Sequence, residues 1–217
     1  DVPRSAKIAR CEVTPMESYQ GVKFTSRRLA DNFAGFDEPL ALLHHWTLLL
    51  SQLGLAPLHQ RGAYGNQSCR TAEGSFIITR SAMQPSAGVN RDEYCHVVGC
   101  DAATNSCDFQ GSGLPSSETL LHGLIYSHHP WVGAILHGHS PLLLQHAPQL
   151  HIPTTDTAHP YGTRELAWEA VAMVEKARPF FNLRDHGFVA LAHDLQTAGR
   201  LALATYRRLL DLLLEQR

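Results

Sequence analysis

The sequence predicts a layered α/β domain, and two observations carry that prediction. Apolar residues recur at helical spacing over 40–53, up to a stop at Gly54, and similar stripes return after residues 116, 164 and 195. Between these stretches lie short apolar runs bounded by turn residues, which are typical of strands. The order is helix, several strands, helix, strand, helix, strands and helix, and such an order packs helices against a sheet.

Each element has its own signal. Ser116 and Ser117 suit the N-terminal cap of a helix that Pro130 ends near residue 128. The other helices are predicted over 39–54, over 164–177 and from Leu195 to the end of the chain. Strands are predicted at 75–79, 94–99, 131–137, 180–183 and 188–191.

The chain length fits one domain with an extension. A chain of 217 residues can bury one good core but is short for two. Residues 1–38 are irregular because Pro3, Pro15, Gly21 and Gly35 interrupt any periodicity. We therefore expect an N-terminal arm over 1–38 that lies on a domain formed by residues 39–217.

Composition excludes several classes of partner. Eighteen Lys and Arg nearly balance twenty Asp and Glu, without a long run of either sign, so nucleic acid and anionic membranes are disfavoured. No stretch reaches the roughly 18 consecutive apolar residues of a membrane span. Five cysteines are an odd number and widely spaced, and residues 1–9 lack the apolar core of a signal peptide. A cytoplasmic protein is expected.

The histidines indicate a metal site. His137 and His139 lie two residues apart at the end of a predicted strand, so both imidazoles leave the same face, and Gly138 is expected to leave the opposite face open. Two such imidazoles can share one divalent ion at about 2.0–2.1 Å. His186, in a turn between two strands, can supply a third nitrogen. The alternatives are two partly exposed histidines, or a rival zinc site at Cys95, Cys100 and Cys107.

Glu118 is the candidate acid/base. It lies in the first turn of the predicted second helix, where the helix dipole and a nearby cation both favour the ionised carboxylate. Acidic residues also occur in first turns simply because they stabilise helices. A serine nucleophile is disfavoured, because Ser140 is followed by Pro141 and lacks the second glycine of a nucleophile elbow.

Several motifs together resemble the class II aldolase/adducin family. The chain carries LPSSE at 114–118 and HGHSP at 137–141, with LH, IY and Pro130 between them. Further matching segments are GNQS at 65–68, YGTREL at 161–166 and DHGFV at 185–189. The resemblance covers residue 39 to the end of the chain. It implies a three-layer α/β/α sandwich around a mainly antiparallel sheet, assembled as a homotetramer with active sites between subunits.

By the same resemblance, His137, His139 and His186 hold a divalent ion, best zinc, with manganese and cobalt as alternatives. Glu118 takes the acid/base position, where the related 4-epimerases carry aspartate. The phosphate of a small-molecule substrate is expected at Asn66, Ser81, Ala82, Ser116 and Ser117.

Two departures from the family pattern bear on the substrate and the reaction. Ala82 replaces a glycine, so either Arg80 compensates by its charge or the substrate is not a phosphate ester. The segment between His139 and His186 is short and lacks a family tyrosine, which His151 or His159 could replace. If neither does, a reaction that needs no such proton transfer, such as decarboxylation, is easier than aldol cleavage.

The predicted function is a metal-dependent carbon–carbon lyase that acts through an enediolate on a sugar phosphate or hydroxy-carbonyl compound. The alternatives are a decarboxylase, a sugar-phosphate dehydratase, or an idle metal-binding scaffold protein.

Overall fold

The helices and strands of the computed structural model follow the predicted order, with additional strands at polar segments. The structure describes residues 21–60, 62–71, 75–176 and 179–215. Its helices are α1 (Asp37–Gln52), α2 (Thr119–His128), α3 (Pro141–Gln145), α4 (Arg164–Glu175) and α5 (Leu195–Glu215). Its strands are β1 (Thr25–Ala30), β2 (Leu58–His59), β3 (Gly62–Ala63), β4 (Asn66–Arg70), β5 (Phe76–Thr79), β6 (Tyr94–Asp101), β7 (Ser106–Gln110), β8 (Ala134–Gly138), β9 (Phe180–Leu183) and β10 (Gly187–Ala192).

Eight of these strands form one sheet in the order β1-β7-β6-β5-β4-β8-β10-β9. Its neighbours pair antiparallel, apart from the parallel pair of β1 and β7. The strands β2 and β3 form a separate small hairpin. The three strands that matter most for function are the neighbouring strands β4, β8 and β10.

Helices cover both faces of the sheet, because consecutive strand residues point to opposite faces. Ile77 and Phe188 lie in the core beneath α1 and α5, whereas Ile78 and Val189 lie in the core beneath α2 and α4. Both faces are therefore apolar, which explains the uninterrupted apolar runs of β5, β8 and β10. None of the described helices is long and apolar enough to cross a membrane.

The predicted N-terminal arm contributes a strand to this sheet. From Thr25 to Ala30 the chain pairs with β7, and Phe33 is buried in the core beneath α1. Residues 1–20 of the arm lie outside the described residues. The strand was not evident from the sequence because its side chains are mostly exposed and polar.

The start of α2 differs from the prediction. The helix begins at Thr119, so Glu118 occupies the cap position instead of the first turn, and its side chain makes no capping hydrogen bond. Ser116 is part of a tight turn, in which its hydroxyl accepts from the Glu118 amide and its carbonyl accepts from the Thr119 hydroxyl. This turn aims the Glu118 carboxylate away from the helix axis and toward the histidines.

Candidate metal centre

The neighbouring strands β4, β8 and β10 bring the predicted site residues to one end of the sheet. His137 lies in β8, opposite Asn66 of β4 on one side and Val189 of β10 on the other. His139 follows β8, and His186 lies in the turn that precedes β10. Residues far apart in the sequence therefore meet because β8 is paired with both β4 and β10.

Three imidazoles and one carboxylate converge at this point. The Nε2 atoms of His137 and His139 are 3.0 Å apart. The Glu118 carboxylate lies 3.1 Å from His137 Nε2 through one oxygen and 2.7 Å from His186 Nε2 through the other. One ligand atom from each of the four residues falls within 4.8 Å of all the others, and all four residues are buried.

Backbone contacts fix the orientation of the first two histidines. The His137 Nδ1 group lies 2.7 Å from the Phe188 carbonyl, so Nδ1 carries the hydrogen and Nε2 presents its lone pair to the cluster. The His139 amide donates to the carbonyl of Leu55, and the Gln67 side-chain amide donates to the carbonyl of His137. His137 and His139 are thus held in place by contacts with the surrounding backbone and with Gln67.

The face opposite the two imidazoles is closed, contrary to the expectation that Gly138 leaves it open. A Cβ on Gly138 would lie 2.3 Å from the Leu55 carbonyl oxygen and 2.6 Å from the Phe188 ring. Real Cβ atoms do not approach backbone oxygens this closely, so only glycine fits. The glycine between the histidines therefore permits tight packing beneath the cluster.

Electrostatics favour an ionised carboxylate beside the histidines. Burial alone raises the pKa of Glu118, but His137 and His186, when protonated, hold it well below its usual range through their charges and hydrogen bonds. Burial lowers the pKa of His137, yet the Glu118 carboxylate raises it above its ordinary value, so a metal ion would compete with a proton at this nitrogen. Burial lowers the pKa of His139 well below its ordinary value, and the charges of the other two histidines lower it further. A neutral imidazole is the form that ligates a metal.

The donor set fits a divalent ion. Two imidazole nitrogens that face each other at 3.0 Å, next to a buried carboxylate, are satisfied together by a shared cation. His139 Nδ1 is also buried and has no hydrogen-bond partner in the described part of the chain. Three nitrogens without a thiolate are typical of an open catalytic zinc site, in which further positions accept substrate or water.

A cavity opens above the cluster. Glu118, His139 and His186 line its floor, and His137 lies behind them. Its walls contain the five residues that were predicted to bind phosphate: Asn66, Ser81, Ala82, Ser116 and Ser117. The five residues that the sequence analysis assigned to phosphate binding therefore all line the same cavity.

Two of these five residues have special geometry. The Asn66 amide donates to a Glu118 oxygen at 2.6 Å, so this side chain contacts the carboxylate directly. Ala82 has a φ of 59°, in the left-handed region that favours glycine. The family glycine at this position would adopt this conformation without strain, whereas the alanine in this chain bears a small cost.

The comparisons with known proteins identify the family. A family model described as "Class II Aldolase and Adducin N-terminal domain" matches residues 41–209. The chain belongs to this family.

Two curated members of the class II aldolase/adducin family are named for sugar phosphates. The chain is 28% identical over 157 residues to 5-methylthioribulose-1-phosphate/5-deoxyribulose-1-phosphate aldolase of Rhodospirillum rubrum, covering 65% of this chain and 67% of that protein. It is 37% identical over 76 residues to methylthioribulose-1-phosphate dehydratase of Gluconobacter oxydans, covering 35% of this chain. That match spans about a third (34%) of the dehydratase.

Solved structures of the family confirm the predicted three-layer fold. L-fuculose 1-phosphate aldolase superposes with a TM-score of 0.62 at 22% identity, covering 83% of this chain and 89% of that chain. A sugar-phosphate aldolase from Thermotoga maritima gives 0.63 at 21% identity, covering 83% and 97%. At these identities the likeness establishes the fold alone.

The cavity also contains aromatic rings, of which the sequence analysis missed Tyr64 and His59. The Tyr64 ring lies 5.3 Å from the His139 ring, and His59 lies 4.5 Å from Tyr64, measured between centroids. Tyr161 lines another part of the wall, whereas His151 and His159 are not among the lining residues. The position of Tyr64 next to the GNQS segment was the one signal that could have indicated its role.

The rival cysteine site is not formed. Cys100 and Cys107 lie opposite each other on β6 and β7 with sulfur atoms 2.8 Å apart, but Cys95 does not join them. Instead, Cys95 is buried and its sulfur contacts the Gly113 carbonyl. Among the described residues, the group that can hold an ion is that of Glu118 and the three histidines.

Proposed function

We propose that this chain is a metal-dependent lyase that cleaves a small phosphorylated hydroxy-carbonyl compound next to its carbonyl group. The observation that carries the proposal is the convergence of three imidazole nitrogens and one buried carboxylate on the floor of a cavity with hydroxyl-bearing walls. Membership of the class II aldolase/adducin family supports it, and so do the sugar-phosphate names of its relatives.

The ion would be held by His137, His139 and His186, and zinc fits three neutral imidazoles best, with manganese and cobalt as alternatives. When bound, it would act as a Lewis acid that stabilises negative charge on the substrate oxygens as an enediolate forms. The protein supplies the fixed geometry for this task, since the histidines are already held by β8 and the turn before β10.

Glu118 is the proposed acid/base. Its low pKa favours the ionised carboxylate, which can take a proton from the carbon next to the carbonyl in dehydration and in the reverse, aldol-forming direction. In cleavage the carbon–carbon bond breaks instead: the hydroxyl of the departing carbon loses its proton, and Glu118 in its protonated state returns a proton to the enediolate carbon. The Asn66 amide holds one carboxylate oxygen and thereby sets the direction of the other. Burial of Glu118 excludes bulk water, which would otherwise compete for the same proton.

The phosphate is proposed to bind opposite the histidines. Ser116 and Ser117 precede the first turn of α2, where amide groups and the helix dipole favour an anion. Ser81 and Ala82 form the facing wall. Arg80 also lines the cavity, but it forms a two-point ion pair with Glu93, so its charge is already balanced. Arg80 therefore does not offer an unbalanced charge to the phosphate, whose binding is proposed to rest on the hydroxyl and amide groups at the start of α2.

A dehydratase is the second candidate, because the chain also resembles curated methylthioribulose-1-phosphate dehydratases. Both reactions begin with the same kind of site, a carboxylate beside a metal-activated carbonyl, and differ in the bond that breaks next. A decarboxylase of the same fold would also use the three histidines and an enediolate. The idle-scaffold alternative is disfavoured, because a scaffold does not need a buried carboxylate among three imidazoles.

The experiment is a product analysis of the full chain loaded in turn with zinc, manganese and cobalt. The substrates are 5-methylthioribulose 1-phosphate, 5-deoxyribulose 1-phosphate, L-fuculose 1-phosphate and a panel of hydroxy-keto acids, followed by NMR. Cleavage into two carbonyl-containing fragments supports the aldolase, and loss of water supports the dehydratase. Fully loaded protein that transforms none of them would contradict the proposal.

We further propose a cytoplasmic homotetramer with sites between subunits. The free thiols of the four described cysteines support a reducing compartment. Exposed tryptophans on the outer surface, Trp131 and Trp168, provide apolar area that an assembly could bury.

A further inference from the structure

Two cysteine thiols face each other across the hairpin of β6 and β7. Cys100 and Cys107 are register partners on the two antiparallel strands, and their sulfur atoms lie 2.8 Å apart. Both thiols are free. A disulfide bond is about 2.05 Å long and suits residues directly opposite each other on paired strands, where the Cα atoms are about 4.5–5.5 Å apart. The pair is therefore placed for bond formation with little movement of the backbone.

A bulge in β6 brings Cys100 to the same side of the sheet as Cys107. The register of β6 shifts between Val97 and Gly99, which leaves one extra residue in this strand. Val97 lies in the core beneath α2, and by strict alternation Cys100, three residues later, would face the other side of the sheet. The extra residue returns Cys100 to the side of α2, where it packs against that core. The bulge is thus what makes the two sulfur atoms meet.

Gly123 fixes the position of the Cys100 sulfur against α2. A Cβ on Gly123 would lie 2.7 Å from this sulfur and 2.9 Å from the Cβ of Cys100, so only glycine leaves room for the cysteine side chain. The sulfur also contacts the Thr119 carbonyl oxygen at 3.9 Å. Cys100 is therefore enclosed by α2 on one side and by Cys107 on the other, which keeps the two sulfur atoms in contact.

The two thiols differ in accessibility. Cys107 is buried, with 1% of its surface exposed, whereas Cys100 is only partly buried. Cys100 lines a surface cavity between α2 and the strands β5 and β6, and Cys107 is not among the residues that line it. A small solute therefore reaches Cys100 first, and Cys107 is reached through the Cys100 sulfur.

We propose that Cys100 and Cys107 form a peroxide-reactive modification site that closes to a disulfide within one chain. The Cys100 sulfur attacks one oxygen of hydrogen peroxide, the O–O bond breaks, and the released hydroxide takes up the thiol proton, which gives water and a sulfenic acid at Cys100. The Cys107 sulfur then attacks the Cys100 sulfur, the S–O bond breaks, and a second water leaves with the Cys107 proton. Two electrons pass from the thiol pair to one peroxide, and the products are one disulfide and two waters.

The surroundings of the pair make the first step slow and the second fast. The hydrogen bond to Cys107 and burial both raise the pKa of Cys100, so its reactive thiolate is scarce at neutral pH. The second step needs no encounter, because the two sulfur atoms already lie in contact. The sulfenic acid at Cys100 is therefore short-lived in the wild type and accumulates when Cys107 is replaced.

The test follows the two thiols by mass. The chain is reduced with dithiothreitol, freed of reductant and treated with hydrogen peroxide. Cleavage before aspartate then separates residues 92–100, which contain Cys95 and Cys100, from residues 101–107, which end with Cys107. Mass spectrometry without reduction shows whether the two peptides are joined, and non-reducing electrophoresis shows whether the bond lies within one chain.

Three variants accompany the wild type. Cys107→Ser removes the buried thiol, Cys100→Ser removes the thiol that lines the cavity, and Cys95→Ser is the matched control. Cys95 is buried, lies on the same peptide as Cys100, and its sulfur contacts the Gly113 carbonyl. Dimedone, which traps sulfenic acids, is added to a parallel set of samples. Glutathione treated with the same peroxide solution shows that the oxidant is sufficient.

In most wild-type molecules we expect peroxide to remove both thiols and to join residues 92–100 to residues 101–107 within one chain, and dithiothreitol should reverse the change. Cys95→Ser should give the same joined peptides, which assigns the bond to Cys100. Cys107→Ser should form no such bond and should carry dimedone on Cys100, whereas Cys100→Ser should show neither product.

Separate peptides in the wild type, under peroxide that fully oxidises glutathione, would overturn the proposal, as would a bond that Cys95→Ser abolishes or one that links two chains. The wild type and Cys95→Ser decide the question even if the other two variants fail to fold. If Cys95→Ser fails to fold, fragmentation of the joined wild-type peptides locates the bond at Cys95 or Cys100. Neither Cys100 nor Cys107 lines the cavity above the metal centre and no turnover is measured, so these outcomes are independent of whether the chain is a lyase.

Discussion

At the scale of single residues, the site depends on positions that tolerate no side chain. A Cβ on Gly187 would lie 2.4 Å from the Gly138 carbonyl oxygen, 2.9 Å from the His137 ring and 3.2 Å from the His139 ring. The close approach of the two strands, and with it the meeting of the histidines, requires glycine here. The turn before β10 is thus as necessary to the site as the ligands themselves.

We therefore expect Gly187→Ala to lower the free energy of unfolding by about 1–3 kcal/mol, the usual cost of overpacking, and to weaken zinc binding. The matched control is Gly88→Ala, because a Cβ there meets nothing within 4 Å. The control should remain within about 0.5 kcal/mol of the wild type in urea unfolding. Equal behaviour of the two variants would refute the argument.

Glu118→Gln tests the acid/base. The amide preserves the shape of the side chain but cannot accept the proton, so exchange of substrate protons with deuterated water should fall about 10²-fold or more. The three histidines remain, and the zinc content should stay at the wild-type level. Undiminished exchange in this variant would assign the base to another residue.

His122 makes stability depend on pH. Its Nδ1 lies 2.6 Å from the Ser68 hydroxyl, and burial lowers its pKa from 6.5 to about 3. Below pH 6.5 the unfolded chain takes up a proton at this residue and the folded chain does not, so stability falls as the pH falls. The slope from this one group is about 1.4 kcal/mol per pH unit down to about pH 3.

His122→Asn should remove that slope, although it costs some stability at neutral pH. Urea unfolding between pH 7.5 and 5, in chelator so that metal binding does not contribute, measures the difference between the two proteins. A variant that loses stability with falling pH as steeply as the wild type would show that His122 is not responsible.

At the scale of elements, apolar elements were predictable and polar strands were not. Clear apolar patterns in the sequence predicted the helices α1, α4 and α5 and the strands β8 and β10. In contrast, β4 buries Asn66, Gln67 and Ser68, whose partners come from residues far away in the sequence. A buried polar residue is stable only with such partners, and the sequence alone does not reveal them.

The same limit applies to the site. The meeting of the three histidines was predictable from the HGH and DHG motifs, because a strand places His137 and His139 on one face and a turn between strands can present His186 to them. The closed face behind Gly138 depends on Leu55 and on Phe188 of the paired strand β10. The position of Glu118 before the helix depends on the tight turn at Ser116, and neither feature is visible in the sequence. The departure at Ala82 was visible in the sequence, but its positive φ was not.

Arg70 joins β4 to the end of α2. Its guanidinium donates to the carbonyl of Tyr126 in the last turn of α2 and to the carbonyls of His129 and Val132, which follow the helix. Arg70→Met should cost about 1–3 kcal/mol, because buried carbonyls lose their donors. Arg207→Met, which removes an exposed arginine of α5, should change stability by less than about 0.5 kcal/mol. A similar small effect for Arg70 would contradict this role.

At the scale of the whole molecule, one end of the sheet holds the cluster and the cavity, and Gly21, the first described residue, is hydrogen-bonded to Ser117 of the cavity wall. Family resemblance implies that neighbouring subunits complete such a site. Static light scattering at micromolar concentration should therefore give a mass four times that of the chain. A clean monomer would contradict the proposed assembly, because a cavity open on one side could not exclude water from the reaction.

The central claim is that His137, His139 and His186 hold one divalent ion per chain. Elemental analysis of protein purified without chelator tests it most directly, on the wild type, on His137→Ala and on His45→Ala, which removes an exposed histidine of α1. The account predicts about one ion per chain in the wild type and in His45→Ala, and little or none in His137→Ala. Equal metal content in all three proteins would contradict it.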